Sequence, residues 1–110
     1  MSTFFSGKRT AAGRTKPGRT NWMQHTEDNS IYVDIDTSSG RFSGIPLYIT
    51  SIGGDSFHEK TVGAASICEA SATKFRIYIK RVDGGPLTPE TANKFKWHIN
   101  WLGIEVPFDV

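Results

Sequence analysis

From Ile31 the chain alternates strictly, with Ile31, Val33 and Ile35 falling on one side and Tyr32, Asp34 and Asp36 on the other. A period of two marks a strand with one dry face and one wet face. The same rhythm returns across residues 74–81, where Phe75, Ile77 and Ile79 point to a core while Arg76, Tyr78 and Lys80 point away. Between these lie a run over 47–52, opened by Pro46, and a run of small residues over 62–69. Proline at the head of a strand removes no ladder hydrogen bond. The last run, Trp97-His98-Ile99-Asn100-Trp101-Leu102, sets two tryptophans on one side, and Gly103 invites a bulge before Ile104-Glu105-Val106.

The punctuation agrees with this reading. Ser38-Ser39-Gly40 makes a turn under which Phe42 can tuck its ring, Gly53-Gly54-Asp55-Ser56 breaks the chain, and Asp83-Gly84-Gly85-Pro86 is a strong turn. Thr88-Pro89-Glu90 supplies an N-cap, an N1 proline and a first-turn acid in order, which predicts a helix over 89–95. Short strands, glycine-rich turns and almost no helix predict an all-β chain. Its form is an antiparallel β-sandwich of about six strands with one short helix before the last strand.

At 110 residues, 37% of them apolar, the chain can close one core without metal or disulfide staples. The lone Cys68 excludes an intramolecular disulfide and a cysteine-based zinc site within one chain. The opening Met1-Ser2-Thr3-Phe4-Phe5 lacks the apolar stretch of a secretory signal, and no apolar run approaches bilayer length. A cytoplasmic setting without a membrane span is the expectation.

Charge divides the chain. Lys8, Arg9, Arg14, Lys16 and Arg19 fall in the first twenty residues, which hold no acid, whereas from Asn21 onward eight basic residues face eleven acidic ones. Residues 1–20 therefore read as a basic arm, flexible or pairing, and residues 21–110 as the sandwich. Such an arm suits nucleic acid or another polyanion, or else solubilises the chain or docks on the acidic body or a neighbouring subunit. Gly7, Gly13 and Gly18 interrupt it, so no continuous basic helix is expected.

Catalytic and metal chemistry find little purchase. Asp34 and Asp36 share a strand face, but two carboxylates fall short of the roughly six to eight oxygens that calcium takes. His25, His58 and His98 share no metal-ligand spacing, Cys68 has no basic neighbour to activate it, and neither a Gly-x-Ser-x-Gly elbow nor an HExxH helix occurs. No enzyme activity, metal or cofactor is expected. Sugar recognition, by contrast, needs an apolar platform and a few fixed polar groups. Trp22 with Arg19 and Asn21, and the loop carrying Asp55, His58 and Lys60, can offer both, since loops are where binding residues concentrate, and Trp22 reads equally well as an ordinary core or rim residue.

These elements, in their order and spacing over residues 31–105, resemble the H-type lectins, the galactosamine-binding domains of snail agglutinins and of the discoidin C terminus. The resemblance rests on the Ile31 strand, on Phe42 shortly before Pro46, and on the small-residue strand. Thr73-Lys74-Phe75 heading a strand and the closing Asn100-Trp101-Leu102-Gly103-Ile104-Glu105 complete it. It implies a sandwich that assembles as a homotrimer, or a hexamer of paired trimers, with a sugar of the galactose or N-acetylgalactosamine type held near the subunit borders. Carried over by position, the site begins at Gly18-Arg19-Thr20-Asn21, where Thr20 stands in place of the family's aspartate. Lys60 supplies the charge of the family's arginine, and Val82 and Asp83 replace its Trp-His pair. The expected ligand contacts are thus Gly18, Arg19, Thr20, Asn21, Trp22, Asp55, His58, Lys60 and Asp83. The competing expectations are polyanion binding through the arm and a purely structural assembly subunit.

Overall fold

The computed structural model describes residues 9–106. Seven strands and one short helix run in the order β1 (Thr10–Arg14), β2 (Met23–Gln24), β3 (Ser30–Asp36), β4 (Leu47–Gly53), β5 (Thr61–Val62), β6 (Lys74–Arg81), α1 (Pro89–Lys94) and β7 (His98–Ile104). One sheet has the order β1-β7-β4 and the other β2-β3-β6-β5, with every pairing antiparallel. The described residues form an all-β sandwich with one short α-helix.

Alternation decides which side chains meet between the sheets. Tyr32 pairs with Tyr78 and Val33 with Ile77, so Ile31, Val33, Ile35, Phe75, Ile77 and Ile79 share one face and are buried. From the opposing sheet Ile99 and Trp101 enter the same core, and Trp22, Leu87 and Trp97 close one end of it. Burying each such aliphatic side chain contributes on the order of 1.5–3 kcal/mol.

The outward faces differ in character. On the larger sheet Arg76 makes two hydrogen bonds to the Asp34 carboxylate, at 2.7 and 3.0 Å, and stacks 4.3 Å above the Tyr32 ring centre. On the smaller sheet Leu47 and Ile49 lie exposed, with Leu102 and Ile104 opposite them in register.

In three places the strands depart from the sequence reading. The run over 62–69 pairs only at Thr61–Val62, because Gly63 takes a φ of +109° and a turn closes from the Ser66 amide to the Gly63 carbonyl. Contact with β6 resumes at a single bridge between Cys68 and Arg76. Gly103 forms no bulge and sits in ladder register between Ala11 and Tyr48. Its missing side chain serves packing instead, since a Cβ there would come within 2.7 Å of the Phe42 ring. Residues 10–14, read as part of the basic arm, form β1 and pair along the length of β7. Among the described residues no helix is long and apolar enough to cross a membrane.

Candidate functional site

A hollow of about 280 Å³ opens at the end of the sandwich where β4 leaves for β5 and β6 leaves for α1. Its lining comes from three stretches of chain: Phe57 and Lys60, then Arg81, Pro86 and Leu87, then Thr91, Phe95 and Trp97. Each is held in place by local chemistry.

The first stretch is anchored from below. The Asp55 amide donates to the Phe95 carbonyl at 2.8 Å, and the Trp97 indole N–H donates to the Ser56 carbonyl at 2.8 Å. Gly54 lets the loop lie this close, because a Cβ there would meet Trp97 at 2.7 Å. Thus anchored, the loop turns Phe57 outward, 47% exposed, with a left-handed φ of +71°. A bulky residue rarely adopts that conformation, which costs on the order of 1–3 kcal/mol and persists where surrounding contacts impose it. The ring rests edge-on against Phe95, 4.9 Å between centres at 78°, an arrangement favoured by the charge distribution of aromatic rings.

The second stretch fixes a guanidinium. Arg81 donates from Nη2 to Asp83 Oδ2 at 2.6 Å and from Nη1 to the Pro86 carbonyl at 3.0 Å. Asp83 Oδ1 in turn accepts from the Gly85 amide at 2.9 Å. The Arg81 bond, followed by the Gly85 amide, holds the Asp83 carboxyl below the ordinary carboxylate range. The third stretch depends on the helix start. Thr88 Oγ1 accepts from the Thr91 amide at 3.2 Å with Pro89 at the first helical position, as the residue order predicts.

Of the residues expected to contact ligand, Lys60 lines this hollow, and Asp83 supports it by gripping Arg81. Asp55 has an exposed side chain, and its backbone ties the loop to Phe95. His58 is half-buried, with Nδ1 enclosed and without a hydrogen-bond partner among the described residues, close beneath Gly54.

The residues of the first loop lie elsewhere. Lys16-Pro17-Gly18-Arg19 forms a turn closed from the Arg19 amide to the Lys16 carbonyl, with Gly18 at a φ of +82°, the type II pattern. Thr20 is buried, and its hydroxyl bonds to Thr15 and to the Lys16 carbonyl. Trp22 is 4% exposed, belongs to the core, and donates its indole N–H to the Trp97 carbonyl at 3.3 Å. Its ring faces are taken up by packing and offer no open platform. Arg19 and Asn21 remain exposed. This loop is fastened to Asn93 of α1, whereas Thr91 and Phe95 line the hollow. At about 100° per residue, position 93 lies on the opposite side of the helix from 91 and 95.

Sequence reasoning missed Phe57, Arg81, Pro86, Leu87, Thr91, Phe95 and Trp97 as lining residues. For Phe57 a signal existed, since a large apolar residue in a glycine-flanked loop has no strand face to bury it. A second, wider depression of about 480 Å³ lies beside His25, Glu27, Tyr78 and Lys80. Its Lys80 ammonium is already offset by Glu27, 3.9 Å away. Among the described residues no group of three or more His, Cys, Asp or Glu side chains is placed to hold a metal ion.

No protein-family model, no curated protein and no solved structure matches the chain.

Proposed function

We propose that this is a non-catalytic carbohydrate-binding domain whose ligand seats in the hollow between Phe57 and Leu87. The observation that carries the reading is Phe57, an aromatic ring held outward on a left-handed backbone at a hollow lined by both apolar and polar side chains. A sugar ring has an apolar C–H face and a rim of hydroxyls, and the site offers a counterpart to each. Phe57, Phe95, Pro86 and Leu87 meet the face, while Lys60, Arg81 and Thr91 reach the rim. The volume, about 280 Å³, falls just below the range of about 300–1,000 Å³ typical of ligand sites, which suits nothing larger than a single ring.

The H-type lectin resemblance supports the same class of ligand, and the homotrimer it implies belongs to this proposal. A glycan array probed with the whole chain tests the binding. Signal is expected from a subset of glycans and is lost in Phe57→Ala while the melting curve keeps its cooperativity. Silence across the array at high protein concentration overturns the reading. Light scattering that reports a monomer removes the trimer and leaves the hollow as it stands.

A second reading is favoured by one observation. Arg14, Lys16 and Arg19 are exposed, and none takes part in an ion pair among the described residues. Polyanion binding at this edge predicts an affinity that falls steeply with salt, by a factor set by the number of phosphates contacted. Binding to the hollow leaves this edge untouched, so substituting these three residues separates the two.

A further inference from the structure

We infer that the hollow takes an anionic saccharide, a single ring bearing a carboxylate or sulfate ester, whose charge is met by Lys60. This deepens the sugar reading and rests on it. The two aromatic rings at the mouth touch each other, and each has an ammonium beside it. Lys60 Nζ lies 5.9 Å from the Phe57 ring centre, and Lys94 Nζ lies 5.5 Å from that of Phe95.

Neither lysine takes part in an ion pair among the described residues, where the paired bases are His25, Arg76, Lys80 and Arg81. The nearest acids in sequence, Glu59 and Glu90, are exposed and line no part of the hollow. Arg81 contributes hydrogen-bonding reach but little net charge, since Asp83 already offsets it at 2.6 Å. What remains is the uncompensated positive charge of Lys60, beside the aromatic rings of a hollow of mixed polar and apolar lining.

A neutral ring pressed into that cavity would strip water from the ammonium and return only neutral hydrogen bonds, which is unfavourable. An anionic substituent restores the lost solvation with a charge-assisted hydrogen bond, roughly twice as strong as a neutral one. The preference for the anion over its neutral counterpart is therefore about tenfold in affinity.

Calorimetric titration of the whole chain with three ligands of one ring type tests this: the neutral methyl glycoside, its uronic acid, and its sulfate ester. Both anions are expected to bind about tenfold tighter than the neutral ring. Lys60→Gln abolishes the advantage and Lys60→Arg keeps it, while unchanged melting temperatures show that the fold is intact. If neutral and anionic rings bind the native chain equally, the inference is overturned and the sugar reading stands. A preference that survives Lys60→Gln overturns the assignment to Lys60. If Phe57-dependent binding is absent for all three and for the glycan array, the sugar reading falls and takes this inference with it.

Discussion

The side chain of Asn93 completes both backbone hydrogen bonds of Thr20: its Oδ1 accepts from the Thr20 amide and its Nδ2 donates to the Thr20 carbonyl, each at 3.0 Å. The amide thereby acts as a neighbouring strand would, and it ties the β1–β2 connection to the helix that lines the hollow. Asn93→Asp replaces the donor with an oxygen facing the Thr20 carbonyl. The Trp22 amide still donates to that carbonyl at 2.8 Å, so the variant is expected to lose about 1–3 kcal/mol of stability in urea titration at neutral pH, the cost of one lost hydrogen bond and of two acceptor oxygens set against each other.

Ile77 and Ile49 are the same residue in opposite settings, the first fully buried and the second 54% exposed. Ile77→Ala leaves a cavity between the sheets and is expected to cost about 2–5 kcal/mol. Ile49→Ala changes stability by no more than about 0.5 kcal/mol. Parallel denaturant midpoints measure the contrast, and near-equal losses would contradict the sandwich.

Gly63 is required by its backbone. A Cβ there would lie 2.3 Å from the Tyr78 carbonyl oxygen, and the φ of +109° is strained for any L side chain. Gly63→Ala is expected to cost at least about 1–3 kcal/mol and to loosen β5 from β6. Gly44 has nothing within 4 Å of a built Cβ, so Gly44→Ala serves as the control and stays within about 0.5 kcal/mol of the native chain.

Acid should weaken the fold in a predictable window. The hydrogen bond and charge of Arg76 hold the Asp34 carboxyl below its ordinary range, and bonds from the Ser38 hydroxyl and amide do the same for Asp36. Asp83 is lowered in the same way by Arg81. A carboxyl whose folded pKa is depressed adds stability that is complete above its unfolded value, about 3.9, and is lost as pH falls through the folded value. Urea midpoints should therefore hold steady as pH falls from about 7 to about 5 and then decline below about 4. In Arg76→Gln the decline is smaller, because Asp34 then titrates nearer its unfolded value.

Much of the fold could be read from residue order because its central strands are amphipathic. β3, β6 and β7 show uninterrupted alternation, and the structure buries the residues so marked, including Trp97 and Trp101. The start of α1 was equally plain, since Thr88 and Pro89 are specific to a helix beginning. β1 was hidden for the opposite reason. Its sequence Thr-Ala-Ala-Gly-Arg carries no apolar rhythm, four of its five residues are exposed, and only the partner strand reveals it.

The candidate site was half legible. Glycines on either side of residues 55–60 mark a loop, but nothing local says that Arg81, Leu87 and Phe95 converge on it from two other segments. Trp22 misled because a single tryptophan beside exposed neighbours has no period to fix which way it points.

The pairing of Thr10 with Ile104 carries a practical meaning beyond the fold. It sets the first and last described strands side by side at the end of the sheet remote from Gly53 and His98, about 20 Å along the strands at the usual rise and away from the end that holds Phe57 and Phe95. A tether, label or fused domain joined through either strand would leave from that far end, so the domain can be immobilised on a sensor chip with its opening toward the bulk solution.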